Sequence, residues 1–486
     1  MRNWPGKNGA DKNMNLIVVG LLWFGVLSGL APAQEQKAID LKPSTQAGPR
    51  IFLGLWEGFL EMGRGKVQFV FEIRENNEKG LFCLIQAPTL GISGIEAQEL
   101  SISGKTIKFT FPMVNFKFEG VLSDDRPEIE GAFIMRNSKI AAPFKKVDSI
   151  TTVKRRQTPT PPYPYEESDV RFLNNRDGTE LAGTLTYPKD GKAFPAVILL
   201  SGAGPQDRNE EGFGGHRFFQ VLADDLTKRG IAVLRYDDRG CGKSTGNNET
   251  ATVFDFAGDA ESGLDLLRTL PFIDREKIGF IGHSEGGLIA QIIAGNRRET
   301  AFIVLMAGPI MPQVDILKYQ NRGAVQRGAG PDMVALSDRA LEIVFREEDV
   351  NAIRTKLTSL FMNANLPPEA KKSMVEYWGS PDMIFIVKTN PADYLAKVKC
   401  PVLALGGARD AHIPARENLE ALKRIMTKIG NSDYETVEFP DMNHLFQTTK
   451  NGAISEYPLL EETMSPVAMK TIGEWVLKTV SKKKRP

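Results

Sequence analysis

Apolar and polar positions follow two different rhythms along this chain. Between residues 50 and 147 the period is two. Val67, Phe69, Phe71 and Ile73 alternate with Gln68, Val70 and Glu72, Ile107, Phe109 and Phe111 repeat the pattern, and Phe116 and Phe118 continue it. Such a period puts one face of a strand in a core and the other in water. Turn formers interrupt it often: Asn76-Asn77 with Gly80, then Gly104, Asp124-Asp125 and Gly131. About eight short strands are expected, making a small all-β barrel or sandwich with Trp56 plugging one end. From residue 168 the rhythm changes. Unbroken apolar runs at 196–200, 231–234, 278–281, 302–306 and 402–405 are separated by helical stretches at 218–228, 254–270, 287–294 and 417–428. Runs without alternation suit strands buried on both faces. Strand and helix repeating in turn predict an α/β, mostly parallel, doubly wound sheet.

Three segments depart from these rhythms. Residues 148–167 join the two patterns, and Lys154-Arg155-Arg156 is followed there by prolines at 159, 161, 162 and 164. That density favours extended, semi-rigid backbone. Residues 168–482 then read as one α/β unit, interrupted at 311–395, where charged and apolar side chains interleave at helical spacing. A long insertion over the carboxyl edge of a sheet shapes a pocket. It is read as a helical lid, with Phe361, Tyr377, Trp378 and Phe385 as apolar walls. At the start of the chain Arg2, Lys7 and Lys12 precede an apolar run at 16–30, and Ala31-Pro32-Ala33 has the small-x-small form that signal peptidase cuts. A run of 15 residues falls short of the roughly 20 that a spanning helix needs. Residues 1–33 are therefore expected to be a signal peptide. The protein is then exported, periplasmic or secreted, without stable membrane insertion after cleavage.

Composition narrows the chemistry. Lys and Arg number 61 against 60 Asp and Glu, so the basic excess of a nucleic-acid binder is missing. Three cysteines in 486 residues cannot scaffold the fold. Cys83, Cys241 and Cys400 are read as small apolar residues inside strands. Histidine sets the tightest limit, because only His216, His283, His412 and His444 exist, with no HExxH or CxxC spacing. No metal and no cofactor is expected.

The run at 277–281 leads straight into Gly282-His283-Ser284-Glu285-Gly286-Gly287, and a helix follows. This is G-x-S-x-G in a strand–turn–helix setting, which strains the Ser backbone and turns Oγ into open space. A hydroxyl becomes a good nucleophile only when a base takes its proton, and the base needs an orienting carboxylate. Chains with this elbow carry them in the order Ser, acid, His. Asp410 follows the run at 402–405, and His444 follows the last predicted strand at 434–439. Ser284, Asp410 and His444 are the candidate triad. His412 is the rival base, but it sits two residues from Asp410 on the same loop. His283 is locked beside the nucleophile, and His216 caps or packs an early helix. Two backbone N–H groups must hold the oxyanion. They are assigned to Glu285 and to Ala203, with Gly204 as the alternative, in the glycine-rich loop 201–204. The stretch Gly240-Cys241-Gly242-Lys243-Ser244-Thr245 ends like a phosphate loop, but Asp237 stands where that loop needs glycine. It reads instead as a structural turn, with Arg239 paired to a carboxylate.

Four of these segments carry a family resemblance. SGAGPQDR at 201–208, RYDDRGCGKSTG at 235–246, GFIGHSEGG at 279–287 and NHLFQ at 443–447 resemble the exported bacterial α/β-hydrolases of the EstD carboxylesterase type. The likeness covers roughly residues 168–480. It implies the same triad, an acyl-enzyme, and hydrolysis of small-molecule carboxylic esters with short acyl chains. Two other readings stay open: a peptidase or amidase using the same residues, related to the prolyl-oligopeptidase type, and a ligand-binding exported protein with secondary hydrolase activity. Oligomeric state is not readable from the sequence.

Overall fold

Eight strands build the sheet of the C-terminal unit, in a computed structural model that describes residues 49–482 apart from 63–64, 78–79, 88–91, 112–115, 136–137, 152, 213, 249 and 327–329. The expected signal peptide lies outside the described residues. The strands are β1 (Glu166–Leu173), β2 (Glu180–Tyr187), β3 (Phe194–Leu200), β4 (Ala232–Tyr236), β5 (Ile273–His283), β6 (Ile303–Met306), β7 (Val402–Gly407) and β8 (Tyr434–Phe439). Their order across the sheet is β1-β2-β4-β3-β5-β6-β7-β8. β1, β2 and β4 pair antiparallel, and every pair from β4 to β8 is parallel. All six residues of β7 and all four of β6 are buried, as strands covered on both faces require.

Helices cover both faces of this sheet. α1 (Phe218–Lys228) and the C-terminal helix Pro466–Ser481 pack on one side, where Phe218, Leu222, Leu226, Ile472 and Val476 are fully buried. α2 (Val253–Thr269) and α3 (Glu285–Asn296) pack on the other. α2 starts cleanly because the Asp255 carboxylate accepts the Thr252 backbone N–H at 2.8 Å. The helix Ala415–Ile429 stops at Gly430, whose left-handed φ of +69° glycine adopts without strain.

The insertion between β6 and β7 is helical, as its periodicity predicts. α4 (Gln313–Gln326), α5 (Pro331–Arg346), α6 (Val350–Met362), α7 (Pro368–Trp378) and α8 (Pro381–Lys388) follow one another. Three of them open on proline, whose missing N–H costs nothing in the first turn. The expected apolar walls divide. Phe361 and Trp378 turn inward with Leu341, Ile353 and Leu357 into a core belonging to the insertion itself. Phe385 instead packs toward the sheet, 5.3 Å from the Phe254 ring. A helical pair needs its own buried stripe before it can present anything to a pocket.

The N-terminal unit is all-β, with ten strands among the described residues between Gly54 and Val147 rather than about eight. Strands such as Ser138–Ala141 and Phe144–Val147 are four residues long, too short to display a period. The two ends of the strand path, Ile92–Glu96 and Gln98–Ser103, are consecutive in the chain, which brings the sheet close to a barrel. Aromatic rings fill it: Phe71 stacks on Phe144 at 4.0 Å and meets Phe109 and Phe118 edge-on at 4.7 and 4.9 Å. Each such ring contributes about 1.5–3 kcal/mol by leaving water. Trp56 is buried there, its indole N–H donating to the Phe52 carbonyl at 2.6 Å.

One further expectation needs correction. Only Cys83 lies in a strand; Cys241 sits in the turn after β4 and Cys400 in the loop before β7. Both loop cysteines are partly buried, and Cys400 still packs against the core beneath the sheet. The segment before β1 is tied down by side-chain hydrogen bonds. The Arg155 guanidinium donates to the carbonyls of Gly214 at 2.9 Å, Pro458 at 2.6 Å and Leu460, and the Gln157 amide donates to the Met464 carbonyl at 2.7 Å.

Candidate active site

Strand β5 ends at His283, and α3 starts at Glu285, so Ser284 alone makes the turn between them. Its backbone is forced to φ +52°, ψ −120°, a conformation that side chains rarely adopt. The neighbouring glycines permit the crossing. A Cβ on Gly282 would lie 2.1 Å from the Gly286 carbonyl oxygen, and one on Gly286 would lie 2.1 Å from that of Leu200. The elbow is pinned to the sheet by the Ser284 N–H, which donates to the Met306 carbonyl at 2.9 Å. Ser284 itself stays partly open to solvent.

β7 and β8 deliver the other two candidates to the same edge. Asp410 lies three residues past β7, and His444 five residues past β8. Their side chains meet: His444 Nδ1 lies 2.7 Å from Asp410 Oδ2, and both residues are buried. The other Asp410 oxygen accepts the backbone N–H groups of His412 at 2.7 Å and Ile413 at 3.0 Å. Burial alone would push the Asp410 carboxyl up, but the His444 and His412 rings and these hydrogen bonds outweigh it and hold the carboxyl below the ordinary range. A carboxylate can only accept, so Nδ1 of His444 carries the proton and Nε2 is left free to take one. His412 serves Asp410 through its backbone, and its ring lies 4.7 Å from the His444 ring.

The loop after β3 comes up beside the elbow, with the Cβ of Ser284 only 3.3 Å from where a Cβ on Gly202 would stand. The Gly202 N–H already donates to Glu210 Oε1 at 2.9 Å. Ala203 and Gly204, next along, are exposed. Below this loop Asp238 accepts from the Ser201 hydroxyl at 2.9 Å and the Gln206 N–H at 3.1 Å. Burial, with the charges of Glu210 and Glu285 nearby, pushes its carboxyl up to about 8. Glu285 begins α3, where backbone N–H groups lack helical partners. Its side chain is partly open to solvent, yet protein crowds it on most sides. That crowding and the charge of Asp382, on α8, push its carboxyl up to about 7.

Sequence reasoning missed three contributors. Tyr319 and Gln320 of α4 reach down to the acid loop, the tyrosine hydroxyl donating to the Asp410 carbonyl at 2.8 Å and the glutamine amide to that of His412 at 3.1 Å. Glu210 lies 2.8 Å from His283 Nδ1. Nothing in the local sequence marks these residues, since each acts on a partner from 73 to 92 positions away. His216, expected to cap or pack α1, makes no cap to that helix. Its ring bridges the Thr463 hydroxyl at 3.0 Å and the Tyr457 carbonyl at 2.8 Å, far along the chain. The turn after β4 is structural as expected: Arg239 grips Asp259 at 2.7 and 2.8 Å and Asp177 at 2.9 Å.

A mostly parallel sheet with β4 between β2 and β3, and a strained serine where β5 turns into α3, settles the architecture. This is an α/β-hydrolase fold. Residues 211–351, which include the Ser284 elbow, match the family described as Serine aminopeptidase, S33. The chain is 24% identical over 385 residues to Esterase EstD of Thermotoga maritima, covering 78% of this chain and 83% of that protein. It is 30% identical over 110 residues to human Serine hydrolase BPHL, covering 23% of this chain and 34% of that one. Among solved structures it is similar to the esterase Pf2001 of Pyrococcus furiosus, with a TM-score of 0.41 and 21% identity over 65% of this chain and 93% of the other. The resemblance of this chain to Esterase EstD thus extends well beyond the four motifs that first carried it. Among the described residues no helix is long and apolar enough to cross a membrane.

Proposed function

We propose that this α/β-hydrolase is a serine esterase acting on small-molecule carboxylic esters of short acyl chain. The observation that carries the reading is the 2.7 Å contact between His444 and buried Asp410, at the same sheet edge as the strained Ser284. In this reading Ser284 Oγ attacks the ester carbonyl while His444 Nε2 takes its proton. Asp410 holds the imidazole in the one tautomer that can do so. The N–H groups of Ala203 and Glu285 receive the oxyanion; the Gly202 N–H is already committed to Glu210, which makes Ala203 the next donor on that loop. His444 returns the proton to the departing alcohol. Water, activated by the same histidine, then releases the acid.

The helical insertion acts as a lid in this reading, because α4 touches the acid loop and α8 carries Asp382 toward Glu285. The first 33 residues direct export. Turnover of p-nitrophenyl acetate, butyrate and octanoate, with N-terminal sequencing of the exported protein, tests both parts. The expected results are activity that falls with chain length and a mature terminus at Gln34. No turnover of any ester by folded protein would overturn the enzyme reading, and an intact terminus on membrane-bound protein would overturn export.

A peptidase working through the same three residues is the second reading. One observation favours it: the matched family is described as a serine aminopeptidase. Faster cleavage of aminoacyl-p-nitroanilides than of the esters would select it.

A further inference from the structure

His283 occupies the variable position before the nucleophile, and its side chain is almost fully buried. Both ring nitrogens have partners. Nδ1 lies 2.8 Å from Glu210 Oε1, and Nε2 lies 3.1 Å from the backbone carbonyl of His444. A carbonyl has no proton to give, so Nε2 must be protonated. An ionised Glu210 has none either, so opposite a carboxylate Nδ1 is protonated as well and the ring is an imidazolium. The same Glu210 oxygen also accepts the Gly202 N–H at 2.9 Å. Glu210 Oε2 has no hydrogen-bond partner among the described residues, so the charge of His283 is the main compensation for a buried anion. Glu210 sits at φ +48°, a backbone cost that the surrounding bonds must offset.

We propose that Glu210 and His283 form a buried ion-pair clamp that sets the positions of the His444 loop and the Gly202–Ala203 loop. Three separate chain segments meet in it: the loop that offers the oxyanion donor, the elbow, and the backbone of the base itself. The His283 and His444 rings stand 4.9 Å apart, so a shift of one moves the other. Neither clamp side chain touches substrate; both are positioning residues. The groups that set its charge are Glu210 and Asp410, which favour the imidazolium, together with His444 and with Asp238 beside Glu210; the Phe218 ring closes the remaining side at 5.0 Å. Burial opposes charge on His283, but Glu210 overrides it and the pKa is raised.

The positioning role rests on the serine-hydrolase reading, whereas the ion pair does not, and the test separates them. The full-length protein is labelled with nitrogen-15 histidine, and the His283 signals are assigned from spectra of variants at the other three histidines. The expected result at pH 8 is protonation of both His283 ring nitrogens; a neutral ring overturns the clamp. Glu210→Gln keeps the shape and removes the charge. In folded variant protein it should lower kcat roughly ten- to a hundredfold, with KM within about threefold, and slow fluorophosphonate labelling of Ser284 in proportion. A folded variant with kcat within twofold of the parent overturns the positioning role. If Glu210→Gln does not fold, the protonation state in the unsubstituted protein decides the clamp. If fluorophosphonate never labels Ser284 in the unsubstituted protein, the hydrolase reading and the positioning role fall together, and the His283 spectrum still decides the ion pair.

Discussion

The Tyr319 hydroxyl, on the first helix of the insertion, donates a 2.8 Å hydrogen bond to the backbone carbonyl of Asp410. The insertion is thereby coupled to the very loop that holds Asp410, the candidate acid. Tyr319→Phe removes one neutral hydrogen bond, worth about 0.5–1.5 kcal/mol. The expected outcome is a kcat lowered about two- to tenfold with the fold intact by circular dichroism. An unchanged kcat would show that the contact does not position Asp410.

The two loop histidines make opposite predictions. His444 contacts Asp410 through its side chain, whereas His412 does so through its backbone N–H, which alanine retains. His444→Ala and Ser284→Ala should each lower kcat by about four to six orders of magnitude, and the double variant should be little worse, because the two act as a unit. His412→Ala should cost roughly tenfold or less. A folded His444→Ala enzyme within tenfold of the parent would remove His444 from the role of base.

Asp238 gives a stability prediction with a definite sign. Its carboxyl binds a proton more tightly folded, at about 8, than the ordinary 3.8. Raising the pH from about 4 to about 8 therefore takes stability away, because only the folded state resists the loss of that proton. Asn at this position has no proton to lose; its oxygen can accept the Gln206 N–H and its amide can donate to Ser201. Melting temperatures of Asp238→Asn should gain on those of the parent as pH rises from 5 to 8.5. A constant difference across that range would contradict the assignment.

His216 works in the opposite sense. Burial and the charge of Arg155 lower its pKa from 6.5 to about 4. The stability of its neutral form is fully present above about 6.5 and is lost as pH falls toward 4. Its partners Thr463, Tyr457 and Gln447 lie in the C-terminal segment. That segment should therefore exchange its amide hydrogens faster at pH 4.5 than at pH 7, relative to the intrinsic rate. Unchanged protection would leave acid sensitivity to other groups.

Much of the fold was legible because burial leaves a period. Phe69, Phe71 and Ile73 alternate with polar neighbours since one face of their strand is wet, and β6 and β7 read as unbroken apolar runs since both faces are covered. The elbow was legible because its glycines have no substitute where a Cβ would meet backbone at 2.1 Å. Asp410 and His444 could be chosen because few histidines exist and each candidate follows a strand. The short strands Ser138–Ala141 and Phe144–Val147 were not legible, because they are neither unbroken apolar runs nor long enough for a period of two to be counted.

The sequence by itself therefore determined the sheet, the elbow and the identities of Ser284, Asp410 and His444 as candidates, since each depends on residue type and local spacing. Tertiary structure alone decided which side chains hold them. Glu210 reaches His283 across 73 positions and Tyr319 reaches Asp410 across 91. Phe361 and Trp378, apolar in sequence like any pocket wall, turned into the insertion's own core. Contacts of that kind depend on how separate elements pack, and side-chain type along the chain carries no periodic trace of them.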